Sequence, residues 1–385
     1  MASVYKQVEL TEAQKQIIRD TVPTLKAAGE ELTKNFYQKM FKDYPDVKPF
    51  FNQTDQKLMR QPKILAFALL KYAENIDDLT PLTDFVLQIV AKHVGLQVRA
   101  GDYEAVGNSL IATMKEMLGD AATDDFIGAW AAAYGNLASL LIGLESAEYK
   151  KNDWQGFKPF KVTKIVDECK DVKSIYFKPE DGHIQKAVPG QYVCIRWNIP
   201  GFDYEQSREY SLSAVTNDTY RISVKHLPGG LVSTFIHENL KEGDVLKVAP
   251  PEGKFVFKED KDEATFIAGG IGITPVMAIL EDILPKGKKA KLLYCNRDAN
   301  RPFVAQLSQW SKDYNLEVVE YISSGADVTD AIGTLNAKRI APADVESIKS
   351  DVFLLGPRPM MREYLAKFAE LGVTPTYEYF GPTDV

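Results

Sequence analysis

The spacing of the apolar residues changes twice along this chain of 385 residues, and these changes constrain its fold more than any other feature. As far as Tyr149, apolar residues recur at intervals of three and four, which is the period of a helix with one buried face. Beyond Tyr149 short segments alternate with a period of two, as strands do, and from Ala264 apolar strands alternate with helical segments. The length also exceeds what one core supports, so we predict three domains, at 1–149, 150–260 and 261–385.

The first domain is predicted to be all α. Thr11 and Gln14 have capping-box spacing at the start of a first helix. A second helix has one apolar face, formed by Leu25, Ala28, Leu32, Phe36 and Met40. In a later helix Thr80 and Pro81 resemble an N-cap and a first-turn proline. The apolar stripe of that helix consists of Leu82, Phe85, Val86 and Ile89, and it ends near Gly95.

The second and third domains are predicted to be a small antiparallel β-barrel and an α/β domain with a parallel sheet. Residues 150–156 resemble a linker. The barrel strands include 160–166, 174–177, 192–197, 220–224 and 245–248, separated by Pro, Gly and Asp turns. The parallel strands include 265–268, 291–295, 317–322 and 352–355.

The composition favours small-molecule partners. The net charge of −7 argues against nucleic acid as a partner, because nucleic-acid-binding proteins usually carry a basic patch. The three cysteines show no CxxC spacing, so neither a disulfide framework nor a cysteine metal site is indicated. We find no signal peptide and no run approaching about 18 apolar residues. We therefore expect a cytoplasmic protein without an obligatory membrane or protein partner.

His93 is the one histidine of the helical domain, and it continues the stripe that contains Phe85 and Ile89. A lone histidine on an apolar face is usually a hydrogen-bonded core residue. The alternative is the axial ligand of a planar apolar cofactor. An all-helical domain of this length, with Phe50 and Phe51 in the connection before the histidine, favours the second interpretation.

Several segments of the first domain together resemble the globin domain of flavohaemoglobins. They are NFYQKMF, FFNQT, RQPKIL, AKHVGLQV, YEAVG, AWAAAYG and GLESAEY. The resemblance implies that the domain binds haem b with His93 as the proximal iron ligand. It also implies that Tyr37 and Gln61 line the oxygen side, and that Tyr103 and Glu145 lie behind His93.

Helical phase supports two of these positions independently. Tyr103 shares a face with Val106 and Leu110, and Glu145 shares one with Leu137 and Leu141, so both should point inward. The alternative for Glu145 is an exposed position at the helix end. Gln61 has a second possible placement as well, because Pro62 cannot donate a backbone hydrogen bond inside a helix. A helix that starts at Pro62 would move Gln61 off a simple inward face.

The barrel contains residue types that a flavin site requires. They are a cation for the pyrophosphate, an aromatic ring and a hydroxyl for the isoalloxazine, and backbone N–H groups that open a helix. The segment REYS supplies Arg208, Glu209, Tyr210 and Ser211, and the segment GGLVS supplies Gly230, Val232 and Ser233. With PGQYV, which contains Tyr192, they resemble the FAD-binding domain of ferredoxin-reductase-like enzymes.

The third domain contains a glycine-rich strand-to-helix turn in the segment AGGIGITP, from which we select Gly270, Ile271, Gly272, Ile273, Thr274 and Pro275 as pyrophosphate contacts. The segment FLLGPRPMMREY repeats the strand-turn-helix form. The last segment, YEYFGP, contains Glu378, Tyr379, Phe380, Gly381 and Pro382. The first of these two segments resembles the nicotinamide-contacting turn of flavohaemoglobins, and the second resembles their flavin-covering end. Leu355 and Tyr379 stand where the family often has cysteine, which we expect to affect hydride transfer or nicotinamide fit without removing either site.

These cofactors imply an electron path from NAD(P)H to FAD to haem, because a flavin can divide the two electrons of a hydride between one-electron acceptors. The resemblance further implies a nitric oxide dioxygenase, in which haem-bound O2 oxidises NO to nitrate. Two alternatives are a flavin-dependent reductase of other acceptors with an O2-responsive globin, and a haem-based gas sensor. Arg297 and Arg301 follow a strand and are either contacts for the 2′-phosphate of NADPH or solvated surface residues.

Overall fold

The computed structural model describes residues 5–52, 56–325 and 328–380. It divides into two compact units. The first contains the chain as far as Gly156 together with Pro200–Ser207. The second contains Phe157–Ile199 and Arg208–Phe380.

The first unit is helical, as predicted. Its α-helices over the described residues are α1 Glu12–Asp20, α2 Val22–Asp43, α3 Arg60–Glu74, α4 Thr83–Leu96, α5 Asp102–Leu118 and α6 Asp124–Tyr149. Thr11 and Gln14 form the predicted capping box at α1. Helix α2 buries Leu25, Phe36 and Met40 against α3 and α5, which confirms its predicted apolar face.

The start of α4 differs from the prediction. Thr80 does not cap the helix, because it begins a 3₁₀ turn, Thr80–Leu82, that precedes α4. The backbone N–H of Thr80 donates to Asp78 Oδ1 at 2.9 Å, and the Thr83 hydroxyl donates to the Thr80 carbonyl at 2.7 Å. Asp78 therefore satisfies the first donor, and the proline-containing turn is completed before the α-helix begins.

Helix α6 also corrects an expectation. Among the helices that the structure describes, it is the one long and apolar enough to cross a membrane by length and composition alone. The expectation that no segment approaches that limit is therefore wrong. In the structure α6 packs against α1, α4 and α5, and it buries Trp130 and Glu145. These are the contacts of a core helix in a helical domain.

The second unit begins with the predicted barrel. Its strands are β1 Lys158–Cys169, β2 Val172–Pro179, β3 Tyr192–Trp197, β4 Gln206–Val215, β5 Tyr220–Lys225 and β6 Val245–Val248. They close in the order β1-β2-β5-β4-β3-β6. Phe160, Phe177 and Tyr220 fill the interior, and the rings of Phe160 and Tyr220 stack at 5.8 Å. Helix α7, Leu231–Glu238, follows β5.

The rest of the unit is the predicted α/β domain. Its strands are β7 Glu263–Gly269, β8 Lys289–Asn296, β9 Leu316–Ile322, β10 Thr334–Asn336, β11 Asp351–Leu355 and β12 Thr376–Tyr377, and its helices are α8 Ile273–Ile283, α9 Val304–Asp313 and α10 Arg358–Glu370. The strands are parallel and ordered β10-β9-β8-β7-β11-β12. The chain order reverses between β7 and β11, and such a switch point forms a ligand crevice at the carboxyl ends of the strands.

One glycine of the barrel permits a close backbone approach. Gly190 has a φ of 104°, and a Cβ there would overlap the carbonyl oxygen of Phe255. Gly182 also has a positive φ, of 75°, but a Cβ at that position would meet no neighbouring atom of the described chain within 4 Å. Positive φ alone costs an L-residue about 1–2 kcal/mol. We therefore expect Gly190→Ala to destabilise the barrel by clearly more than the matched change Gly182→Ala.

Hydrogen exchange of the β3 amides measures this difference locally. Protection of Tyr192–Trp197 should fall much further in Gly190→Ala than in Gly182→Ala. Equal protection in the two variants would mean that the chain relaxes around position 190 without cost.

Candidate functional site

Helix α4 presents His93 on one stripe with Phe85 and Ile89, and all three side chains are half-buried. His93 Nδ1 lies 2.7 Å from Glu145 Oε1 and 3.0 Å from the Tyr103 hydroxyl. A carboxylate only accepts hydrogen bonds, so Nδ1 carries the proton. Nε2 is then the ring nitrogen that is able to coordinate a metal ion.

Glu145 is 2% exposed, which confirms the inward direction predicted from its helical phase and excludes the exposed helix end. A buried carboxylate is costly unless it has donors. Its Oε1 accepts from the Tyr103 hydroxyl at 2.5 Å in addition to His93. Burial, followed by the charge of Glu145, raises the pKa of Tyr103 far above its usual range. The phenol therefore remains protonated and donates to Glu145.

Two further tyrosines hold this group, and the sequence interpretation did not include either. The Tyr149 hydroxyl donates to the carbonyl of Val98 at 2.6 Å, just past the end of α4. The Tyr134 hydroxyl donates to the carbonyl of Tyr103 at 2.5 Å. Tyr149 is four residues beyond Glu145 on α6, so helical phase was the signal that would have indicated it.

Tyr37 and Gln61 lie on other helices of the same unit. Tyr37 on α2 is buried, and its ring packs edge-on against Phe51 at 5.5 Å. Burial raises the pKa of Tyr37 far above its usual range, and a hydrogen bond with Gln56 partly opposes this. Gln56 Nε2 also donates to Gln61 Oε1 at 2.8 Å. Gln56 thus links the two predicted residues, and no sequence periodicity indicates it because it precedes α3.

The helix that carries Gln61 begins at Arg60, so Pro62 lies in its first turn, where a missing N–H costs nothing. This agrees with the expectation that the helix starts near the proline. Gln61 is half-buried beside that turn. The donor set of this unit fits a haem group. One imidazole has Nδ1 committed to a carboxylate and Nε2 left for iron, and apolar side chains surround it.

In the barrel, β4 carries Arg208 and Tyr210 on one face, because alternate residues of a strand share a face. The Tyr210 ring meets Trp197 edge-on at 6.1 Å. Burial raises the pKa of Tyr210, and the positive charge of Arg208 partly opposes this. Ser211 is buried and Glu209 is half-buried on the other face.

Helix α7 begins at the predicted glycine turn, with Gly230 as its N-cap and Val232 buried. The Ser233 hydroxyl accepts from the backbone N–H of Leu227 at 3.1 Å. The side chain of Ser233 therefore closes the turn, and its backbone is the part that can bind an anion. The arrangement of Arg208, an aromatic ring and a helix start fits an FAD pyrophosphate and isoalloxazine.

The end of the described chain lies against the barrel. Glu378 Oε1 accepts from the backbone N–H of Lys254 at 3.0 Å, and a Cβ on Gly253 would meet Glu378 and Tyr192 at 2.9 Å each. Burial and then the charges of Glu209 and Glu378 raise the pKa of Tyr192 well above its usual value. The sequence-predicted Tyr192 and Glu378 are thus brought together.

Three other predicted residues of this segment are Phe380, Gly381 and Pro382. Phe380 is exposed, and Gly381 and Pro382 lie outside the described residues. Tyr379 is half-buried, and the Arg358 guanidinium lies 5.7 Å from its ring centre.

The glycine-rich segment forms the predicted turn. Strand β7 passes into a 3₁₀ turn, Gly270–Gly272, and α8 follows with Ile273, Thr274 and Pro275 in its first turn. The Thr274 hydroxyl donates to the carbonyl of Ile271 at 3.0 Å. A Cβ on Gly272 would overlap the carbonyl oxygen of Leu355 at the end of β11. Glycine therefore permits the close approach of two strand ends, and a helix start beside them fits a dinucleotide pyrophosphate.

The two predicted arginines differ. Arg297 is exposed. The Arg301 side chain is fully buried, with Nε 2.6 Å from Glu320 Oε1. Both alternatives for Arg301 are therefore wrong, because it is neither a solvated surface residue nor available to a 2′-phosphate. The ion pair joins the loop after β8 to β9 across a separation of 19 residues, so local pattern does not indicate it.

Three family models match consecutive parts of the chain. The globin model matches residues 34–141, the oxidoreductase FAD-binding domain matches 159–257, and the oxidoreductase NAD-binding domain matches 266–365. These matches agree with the predicted order of a globin, a barrel and an α/β domain.

The chain is also similar to full-length proteins. The flavohemoprotein of Candida albicans is 51% identical, and the alignment covers 100% of both chains. The flavohemoprotein of Schizosaccharomyces pombe is 44% identical, with 99% of this chain and 94% of the relative covered. The crystal structure of a flavohemoglobin from Malassezia yamatoensis with bound FAD and heme has a TM-score of 0.84 at 27% identity, and 97% of this chain and 100% of that one are covered. This chain therefore belongs to the flavohaemoprotein family and combines a globin domain with FAD-binding and NAD-binding oxidoreductase domains.

Proposed function

We propose that this flavohaemoprotein is a nitric oxide dioxygenase that uses NAD(P)H and O2 to convert NO to nitrate. The observation that carries the proposal is the hydrogen-bonded group of His93, Tyr103 and Glu145. An oxygen store needs only an axial imidazole, whereas this imidazole is polarised by a buried carboxylate. The same chain also has the oxidoreductase domains that supply electrons.

The cofactors are haem b, FAD and NAD(P)H. When bound, the nicotinamide supplies a hydride, the flavin passes its electrons on singly, and the haem iron provides the site for O2 and NO chemistry. Within the chain, His93 would hold the iron through Nε2. Arg208, Tyr210 and the start of α7 would hold FAD, and the turn at Gly270–Gly272 would hold the nucleotide pyrophosphate.

The role of Glu145 follows from its hydrogen bond. A carboxylate that accepts from Nδ1–H makes the imidazole a stronger electron donor at Nε2 and prevents the ring from rotating. Tyr103 keeps the carboxylate in place by donating to the same oxygen at 2.5 Å. The pair therefore favours electron donation towards the iron, which suits oxidation chemistry rather than reversible storage.

Tyr37 and Gln61 would act on the oxygen ligand, as the family resemblance implies. Because burial raises the pKa of Tyr37, its phenol stays protonated and can stabilise negative charge that develops on a nearby oxygen. Gln56 Nε2 donates to the side-chain carbonyl oxygen of Gln61. This hydrogen bond orients the amide N–H₂ of Gln61 away from Gln56. Both predicted residues can then present donors.

Nitrate yield tests the proposal directly. A hydride carries two electrons and each NO molecule needs one for conversion to nitrate, so about two nitrate ions should form per NAD(P)H consumed with NO and O2 present. The assay uses the haem- and FAD-loaded chain. NAD(P)H consumption without nitrate would favour a reductase of other acceptors, and tight gas binding without turnover would favour a sensor.

A substitution at the haem site and one at the FAD site should each affect the binding of one cofactor only. His93→Ala should remove haem and leave FAD bound, since the imidazole is the group that would hold the iron. Arg208→Ala should leave haem bound and weaken FAD, because a charge-assisted contact of about 1.5–3 kcal/mol corresponds to about 10- to 100-fold in affinity. Absorption spectra and FAD titration measure both. Normal haem content in His93→Ala would remove His93 as the ligand.

Glu145→Gln keeps the size of the side chain and removes its negative charge. We expect nitrate formation to slow by about tenfold, which corresponds to about 1.4 kcal/mol at the haem step. Flavin reduction by NAD(P)H, followed by stopped flow, should be unchanged and serves as the internal control. Wild-type nitrate formation in this variant would exclude Glu145 from the mechanism.

A further inference from the structure

Arg301 follows β8 and makes a set of contacts that the electron path from NAD(P)H to haem does not use. Its side chain is fully buried, and Nε donates to Glu320 Oε1 at 2.6 Å. Nη1 donates to Asp330 Oδ1 and to the carbonyl of Ala299, each at 3.0 Å. Nη2 donates to the carbonyl of Asp330 at 3.0 Å. Four of the five guanidinium N–H groups thus donate to protein acceptors.

Glu320 extends this set to a third segment. It is a fully buried residue of β9, and its Oε2 accepts from the backbone N–H of Ile332 at 2.6 Å. Arg301, Glu320 and Asp330, which we call the Arg301 clamp, therefore join the loop after β8, strand β9 and the segment that leads to β10. The clamp therefore adds side-chain contacts between these segments to the backbone pairing of β8 with β9 and of β9 with β10.

Stability alone is a poor explanation for such a group. Removing two charges from water is expensive, and apolar residues of similar volume often give an equal or higher stability. A buried ion pair can instead specify one arrangement, because its hydrogen bonds require a particular geometry. The role of the clamp therefore depends on which segments it arranges.

The clamp lies beside the carboxyl ends of β8 and β9. There the backbone N–H of Ser323 donates to the carbonyl of Asn296 at 3.0 Å, and that of Ser324 donates to the carbonyl of Arg297 at 2.8 Å. Strand β8 neighbours β7, whose end carries the glycine-rich turn. In dinucleotide-binding α/β folds the end of the strand that follows the pyrophosphate turn and its helix contacts the adenosine ribose. By analogy, the clamped segments lie at the strand ends that would bind the adenosine half of the nucleotide.

We propose that Arg301 and Glu320 are positioning residues for NAD(P)H, which hold residues 297–303 after β8 and Ser323 and Ser324 after β9 in the arrangement that binds the adenosine half. They touch protein rather than nucleotide. If the clamp is removed, these segments become less ordered in the free protein, and binding must then supply the free energy that orders them. The affinity for the nucleotide therefore falls, while the chemistry of the bound nucleotide is unchanged. The proposal concerns nucleotide binding and does not depend on what the haem oxidises.

The test separates positioning from folding. In the double variant Arg301→Met, Glu320→Gln both buried charges are removed, and the glutamine carbonyl can still accept from Ile332. Asp330 is left mostly in water, since 57% of its side chain is exposed. We expect a melting temperature near that of the wild type. The dissociation constant of ADP-ribose, measured by calorimetry on the loaded protein, should rise about tenfold.

Kinetics provide the second readout. With ferricyanide as the electron acceptor, the KM for NAD(P)H should rise by a similar factor and kcat should remain unchanged. The matched control is Arg339→Met, Glu363→Gln, which removes an exposed ion pair of the same unit and should change neither constant. If the buried double variant does not fold, Arg301→Lys keeps the charge and loses the planar fork, and it should show the same split to a smaller extent. Wild-type ADP-ribose affinity in a folded clamp variant would overturn the proposal.

Discussion

The hydrogen bond between His93 Nδ1 and Glu145 Oε1 is the interaction on which the functional interpretation depends. A carboxylate buried in a helical core is unfavourable unless donors surround it. Here an imidazole and a phenol both donate to one oxygen, and each comes from a different helix. Three helices must therefore pack correctly before the charge is tolerated. The same packing commits Nδ1 of the imidazole and leaves Nε2 as the ring nitrogen able to coordinate a metal.

The second unit uses a buried charge in a different way. Each guanidinium nitrogen of Arg301 donates to a protein acceptor, and the side chain is fully buried. The group around His93 satisfies one ring nitrogen and leaves the other to coordinate a metal. A buried cation bonded to acceptors on several segments fixes their position, whereas an imidazole with one nitrogen uncommitted provides an atom that can bind a metal. This difference distinguishes a positioning residue from a ligand in the two units.

Local pattern predicts much of this architecture. Periods of 3.6 and 2 indicate the main helices and the barrel strands, and helical phase places Tyr103 and Glu145 inside because both lie on long helices. Contacts between distant segments are not predictable in this way. Gln56 precedes a helix, and its bond to Gln61 depends on how that helix is oriented. The pairing of Arg301 with Glu320 requires knowledge of the strand order, and Thr80 enters a 3₁₀ turn because Asp78 accepts its N–H.

Resonance Raman spectroscopy of the ferrous haem-loaded chain tests most directly whether Glu145 acts on the haem through His93. The iron–histidine stretch reports the electron donation of the imidazole, and this donation depends on the acceptor at Nδ1. We expect a lower stretching frequency in Glu145→Gln than in the wild type, with a smaller decrease in Tyr103→Phe, where the carboxylate remains. An identical frequency in the wild type and Glu145→Gln would refute this role, because the carboxylate would then be a buried structural group without influence on the iron.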